Sequence, residues 1–182
     1  MSKTFDGIDD RLARFLADQT VFFVATAPTG SDGHINVSPK GVTGTFSILD
    51  PLTVAYLDIT GSGIETVAHL RDNGRIVIMF CAFSGPPRIV RLHGRGNVVL
   101  PGDADWEALA ARFPPQPAAR SVIKVTLDRV SDSCGFGVPF MSYDKERGQL
   151  AEWANRKTDE ELVEYRAKKN AVSIDGLPGL AE

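Results

Sequence analysis

VAYLDITGSGIETVAHLRDNGRIVIMF, residues 54–80, decides how this chain is read. An apolar run rich in β-formers ends at Asp58, and a Gly-Ser-Gly turn follows. Ile64, Val67 and Ala68 then recur at helical spacing, Asn73-Gly74 supplies a stop, and residues 75–81 are again almost wholly apolar. The order is strand, loop, helix, strand. Ser62 and Glu65 have the spacing of a capping box, so the helix is expected to open at Ser62.

Outward from this block the chain is mostly β. Residues 88–100 are long for one strand and contain Gly94 and Gly96, which predicts a bulge or bend of the kind that closes a barrel. Residues 121–130 alternate, with Ile123, Val125 and Leu127 expected inward. Upstream, residues 21–26 and 34–38 read as strands, the second with Ile35 and Val37 on one side and its end at Pro39. Residues 45–49 and 52–57 are two more, separated by the turn signal Asp50-Pro51. Ile8, Leu12, Phe15 and Leu16 mark an opening helix, and Asp103 heads another that carries Trp106 and Leu109. From Gln149 the chain is helical, interrupted near Thr158, where Thr158 and Glu161 form a second capping box. Strands arrive in adjacent runs without regular βαβ alternation. The expectation is therefore mainly β with flanking helices: a six- to seven-stranded antiparallel split β-barrel over residues 1–145. A C-terminal helical extension, 146–182, should pack on the same domain.

Composition narrows the function. The 182 residues suit one domain, at roughly 150 residues per domain. With 20 Lys and Arg against 23 Asp and Glu the net charge is −3, so no basic face is offered to nucleic acid. The longest apolar run is too short for a membrane span, and the N-terminal residues have no apolar targeting core. The expectation is a cytoplasmic protein. Cys81 and Cys134 are the only cysteines, too few for a disulfide framework and in no metal-ligand spacing. The signatures G-x-S-x-G, H-E-x-x-H and the Walker loop are missing, and His34, His69 and His93 lie far apart, so no catalytic residue and no metal ligand is assigned.

What chemistry the sequence does offer is at the Gly-Ser-Gly turn. Thr60, Gly61, Ser62 and Gly63 stand at the mouth of a helix, where backbone N–H groups are unpaired and partly positive, and glycine lets an anion approach. Ser62 and Thr66 add hydroxyls about one turn apart. Lys40, Arg88, Arg91 and Arg95 are the cations that strands could bring near, unless they pair with Asp58 or Glu65 instead.

SPKG (residues 38–41), the block 54–80 and PPRIVRLHGRG (residues 86–96) together resemble the pyridoxamine 5′-phosphate oxidase-like family of FMN-binding split barrels. By element order the resemblance covers roughly residues 10–130. It implies a homodimer binding FMN at the subunit interface, with the flavin phosphate near Ser62. Lys40 matches a lysine that lies by flavin and substrate in the true oxidases, and Arg88 matches a polar flavin contact. Family members that bind FMN commonly carry Arg-Lys after the loop serine; Gly63-Ile64 stand here. The true oxidases also end in a substrate-binding tail with Arg and His, unlike residues 173–180, so vitamin B6 is not the expected substrate. Three readings follow: an FMN-dependent oxidoreductase with an unknown small-molecule substrate, a non-catalytic binder of flavin, deazaflavin or another anion, and a structural dimer whose site has decayed. Residues 173–180, with Ile174, Leu177 and Leu180, are expected to be ordered and to lie over the cleft.

Overall fold

The longest strand, Ala119–Ser133, is the spine on which three others lie. The computed structural model describes residues 3–180. Its elements in chain order are β1 (Lys3–Phe5), α1 (Asp10–Ala17), β2 (Phe22–Thr26), β3 (Asn36–Lys40), β4 (Phe46–Asp50), β5 (Thr53–Ile59), α2 (Glu65–Asn73), β6 (Arg75–Cys81), β7 (Ile89–Val99), α3 (Trp106–Ala110), β8 (Ala119–Ser133), α4 (Gln149–Asn155) and α5 (Asp159–Lys169). The strands form one antiparallel sheet in the order β3-β2-β6-β7-β8-β5-β4, and β1 joins at β8. That is eight strands against the six or seven expected. The extra one, β1, is three residues long, too short to show alternation, and it pairs Phe5 with Val130.

One long edge of β8 carries β5 along residues 119–126 and β1 along 130–132; the other edge carries β7. The terminal strands β3 and β4 do not pair with each other, so the barrel is split there. Side chains close it instead. The ring of Phe46 on β4 packs 5.4 Å from Phe22 on β2 and 5.0 Å from Phe80 on β6, and Tyr56 on β5 stands edge-on to Phe22 at 5.7 Å. Ile123, Val125 and Leu127 face this core as expected, joined by Val24, Ile78, Leu92 and the Leu12 and Leu16 stripe of α1.

The predicted bend is present: the β7–β8 register shifts between His93 and Gly94. A Cβ on Gly94 would lie 2.1 Å from the carbonyl oxygen of Thr126, so only glycine lets the strands close at this point. On β3, Ile35 and Val37 share one side as expected, and that side faces solvent: Ser38 pairs with the fully buried Val24 and so points inward. The strand also runs through Pro39, which an edge strand tolerates because its outer N–H groups need no partner.

The Thr158–Glu161 capping box forms as expected, whereas α3 opens at Asp105 without a side-chain cap. The extension packs on the barrel: Ala154 of α4 and Leu162 of α5 share a small apolar cluster with Ala118. Within residues 173–180, Ser173 N–H bonds to Leu177 O at 2.9 Å and Leu180 packs against the main core.

Candidate functional site

Asp58 is the centre of the candidate site. The alternation of β5 turns its side chain into the barrel end, where it is 1% exposed. A carboxylate so placed costs several kcal/mol in lost hydration unless cations meet it. Lys40 Nζ donates to Oδ1 at 3.0 Å, Arg120 Nε donates to Oδ2 at 2.7 Å, and Ser121 Oγ lies 3.4 Å from Oδ2. Burial alone would push the Asp58 carboxyl up, but Lys40 and Arg120 outweigh it and hold the group below the usual carboxylate range. The hydroxyl of the neighbouring Tyr56 is driven well above its ordinary range by burial, reinforced by the Asp58 charge.

Arg120 has four of its five donors in use. Beyond Asp58, it donates to Gly61 O at 3.3 Å, to Gly63 O at 2.9 Å and to Asn170 Oδ1 at 2.9 Å. Asn170 Nδ2 in turn donates to Gly61 O at 2.9 Å and to Ser62 O at 3.4 Å. Three successive carbonyls of the loop are thus turned toward the Arg120–Asn170 pair. In a trans peptide the N–H points opposite to the C=O, and there is no cis bond among the described residues. The N–H groups of Ser62, Gly63 and Ile64 therefore point away from that pair, and none has a partner among the described residues. Successive amides turned one way make a concavity that attracts anions.

This arrangement corrects the expected helix start. With its carbonyl drawn to Asn170, Ser62 does not cap: α2 begins at Glu65, its N-cap position is Ile64, and no side-chain cap bond forms. The stop is as expected, with Gly74 in the left-handed region at φ 72° and its N–H on Leu70 O.

Arg166 of α5 adds a further cation. Its guanidinium donates to Thr60 Oγ1 at 2.9 Å and to Ala119 O at 3.2 Å, and among the described residues it forms no ion pair. Around the loop, Lys40, Arg120 and Arg166 stand against Asp58. Lys40 keeps two of its three ammonium hydrogens free of Asp58. On the other side, Thr66 Oγ1 accepts from Asn36 Nδ2 at 3.0 Å, which also reaches Thr26 Oγ1 at 3.2 Å.

Of the residues expected at the site, Lys40, Thr60, Gly61, Ser62, Gly63 and Thr66 are in this neighbourhood. Arg88 is tied elsewhere: it donates to Asp132 Oδ2 from both Nε and a terminal nitrogen, at 3.1 and 2.8 Å, and lies over the rings of Phe15 and Phe5. Arg91 donates to Ser133, and Arg95 to Asn73 O. Sequence reading missed Arg120, Arg166 and Asn170. The i, i+4 spacing of the last two on one helix face was the only local trace. Ile64, at the second position of the family's usual Arg-Lys pair, is buried, and a Cβ on Gly179 would come within 2.8 Å of its Cγ1. Among the described residues no group of His, Cys, Asp and Glu could hold a metal ion, and no helix is long and apolar enough to cross a membrane.

The residues fit a flavin phosphate held by the outward amides of Ser62 and Gly63 and the exposed Ser62 hydroxyl, without a guanidinium from the loop. Comparison with known proteins points to the same fold family. The family model described as pyridoxamine 5′-phosphate oxidase matches residues 8–134. The pyridoxamine 5′-phosphate oxidase family protein ustO of Aspergillus flavus is 40% identical over 194 aligned residues, covering 97% of this chain and 77% of its own length. Among solved structures, HupZ of Group A Streptococcus superposes with a TM-score of 0.53 at 22% identity, over 68% of this chain and 91% of its own, a likeness of fold alone. With the split barrel, the family match over most of the chain and the fungal relative in agreement, this chain belongs to the pyridoxamine 5′-phosphate oxidase family.

Proposed function

We propose that this chain binds FMN in a homodimer and works as an oxidoreductase on a small molecule, with the flavin phosphate at Ser62 and Gly63; Thr60, fully buried with its N–H and hydroxyl both on Ala118 O, is a support of the loop and not a contact. The observation that carries the reading is the loop: carbonyls drawn inward by Arg120 and Asn170 leave the amides of the exposed Ser62 and Gly63 directed outward. A bound flavin supplies the electron-accepting ring. The protein's own part is to bind and orient it. The amides attract the phosphate, and Glu65, the first residue of the helix, repels it. With no loop guanidinium, affinity in the micromolar range is expected, about 8 kcal/mol.

Titration of the purified protein with FMN tests this in both directions. Glu65→Gln removes the repelling charge and should tighten binding. Gly63→Leu places a side chain on the amide face and should abolish binding with the fold intact, since the only atoms a Cβ would meet belong to the mobile Glu65 side chain. FMN affinity unmoved by both changes would sink the reading. Gly63-Ile64 in place of the family's usual Arg-Lys pair, with Ile64 buried, favours a second reading, a structural dimer whose site has decayed. Purified protein that is colourless and takes up no added FMN would select it.

A further inference from the structure

Asn170 is fully buried and directs its whole side chain at the loop: the Oδ1 accepts from Arg120, and the Nδ2 donates to the carbonyls of Gly61 and Ser62. Its backbone is fixed from both sides, with its N–H on Arg166 O and its carbonyl accepting from Leu180 N–H, each at 2.7 Å. The strap that follows locks this placement. A Cβ on Gly179 would fall 2.3 Å from Asn170 O and 2.8 Å from Ile64 Cγ1, so the strap touches both the anchor and the first turn of α2. Arg71 donates to Gly179 O, and Asp175 accepts from both the backbone N–H and the ring Nδ1 of His34, at 2.8 and 2.6 Å.

We propose that Asn170 is a positioning residue for the oxyanion-binding loop, which makes the C-terminal extension part of the binding apparatus. Its two N–H donors hold the carbonyls of Gly61 and Ser62 inward, and thereby aim the amides of Ser62 and Gly63 outward. Because Oδ1 accepts from a guanidinium, the amide is polarised and its N–H groups donate more strongly. Arg120 thus reaches the loop twice, directly at the carbonyls of Gly61 and Gly63 and through Asn170. The ligand class is a phosphate monoester or another oxyanion. That part rests on the function proposed above; the control of the loop does not.

Asn170→Asp separates this role from packing. The substitution keeps the size and the acceptor for Arg120, whose guanidinium its carboxylate faces. It loses both N–H donors and sets negative oxygens against the loop carbonyls. Hydrogen exchange without ligand should quicken about tenfold at Thr60 and Ala68, the hydrogen-bonded amides on either side of the loop, as the loop they flank is released, while Val24 and Ile78 in the barrel stay as slow as in the unsubstituted protein. FMN and inorganic phosphate should each bind about tenfold more weakly. Asn170→Ser, which removes the same donors without adding charge, should quicken these two amides similarly and serves if the aspartate variant does not fold. Exchange at Thr60 and Ala68 unchanged in these variants, or quickened evenly with the barrel, would overturn the proposal. Unsubstituted protein that ignores FMN while Asn170→Asp quickens only these two amides would refute the flavin reading and leave the positioning role standing.

Discussion

Two histidines are enclosed without a full set of partners. His69 is wholly buried, its Nδ1 is 2.9 Å from Thr26 Oγ1, and its Nε2 has no partner among the described residues; the buried Nδ1 of His93 has none either. Burial pulls both below the ordinary 6.5; Asp175, Glu65 and Asp72 oppose it at His69, as Asp128 does at His93, where Arg129 and Arg91 assist it. A lowered folded-state value means the unfolded chain takes the proton first as pH falls. The stability these neutral rings contribute is complete above about 6.5 and is lost as pH drops through the folded values. The urea midpoint should therefore fall between pH 7.5 and 5.5, and His69→Gln with His93→Gln should flatten that slope; an unchanged slope in the double variant refutes this. At this scale the sequence exposed only what is local. Lys40 and the loop residues were legible because strand ends and glycine turns are local signals. Arg120 was not, since its partner Asp58 lies 62 residues away, and Asn170 reaches Gly61 across 109.

Within β7, two glycines look alike in sequence but answer to different constraints. A Cβ on Gly94 would meet the backbone of Thr126 and Leu127 on β8, which cannot give way without moving the strand; on Gly96 it would meet the flexible end of Leu70 at 2.9 Å. Gly94→Ala should cost about 2–3 kcal/mol and Gly96→Ala about 1 kcal/mol or less, read from denaturant midpoints. Equal losses would show that the bulge does not depend on that close approach. The elements themselves were largely legible, because alternation and helical spacing survive in Ile123–Val125–Leu127 and Leu12–Leu16. Two features were not. Ser62 and Glu65 spell a cap, but tertiary bonds to the carbonyls of Gly61, Ser62 and Gly63 move the helix start to Glu65. On β3 the apolar Ile35 and Val37 suggest a buried face, yet pairing with β2 turns the polar one inward.

Those same side chains bear on the whole molecule. Ile35 and Val37 are 75% and 63% exposed, and Phe136, Phe140, Met141 and Tyr143 stand in solvent along the irregular segment after β8. Large apolar groups left in solvent gain by being covered, and a second copy of the chain is the partner proposed. Sedimentation should give twice the 19.7 kDa chain mass, and Val37→Lys with Phe140→Ser should shift the mass toward the monomer. A single 19.7 kDa species at micromolar concentration would refute the dimer. The position of β8 in the sequence has a further consequence, for synthesis. Strands β5 and β7 both complete their pairing on β8, and Lys3 of β1 meets Asp132 of β8 across 129 residues. Until about residue 133 has left the ribosome, one edge each of β5 and β7 stays bare. A nascent chain cannot build its barrel piecemeal; it must close late, in one long-range step, and until then it depends on whatever shields those edges from pairing with another chain.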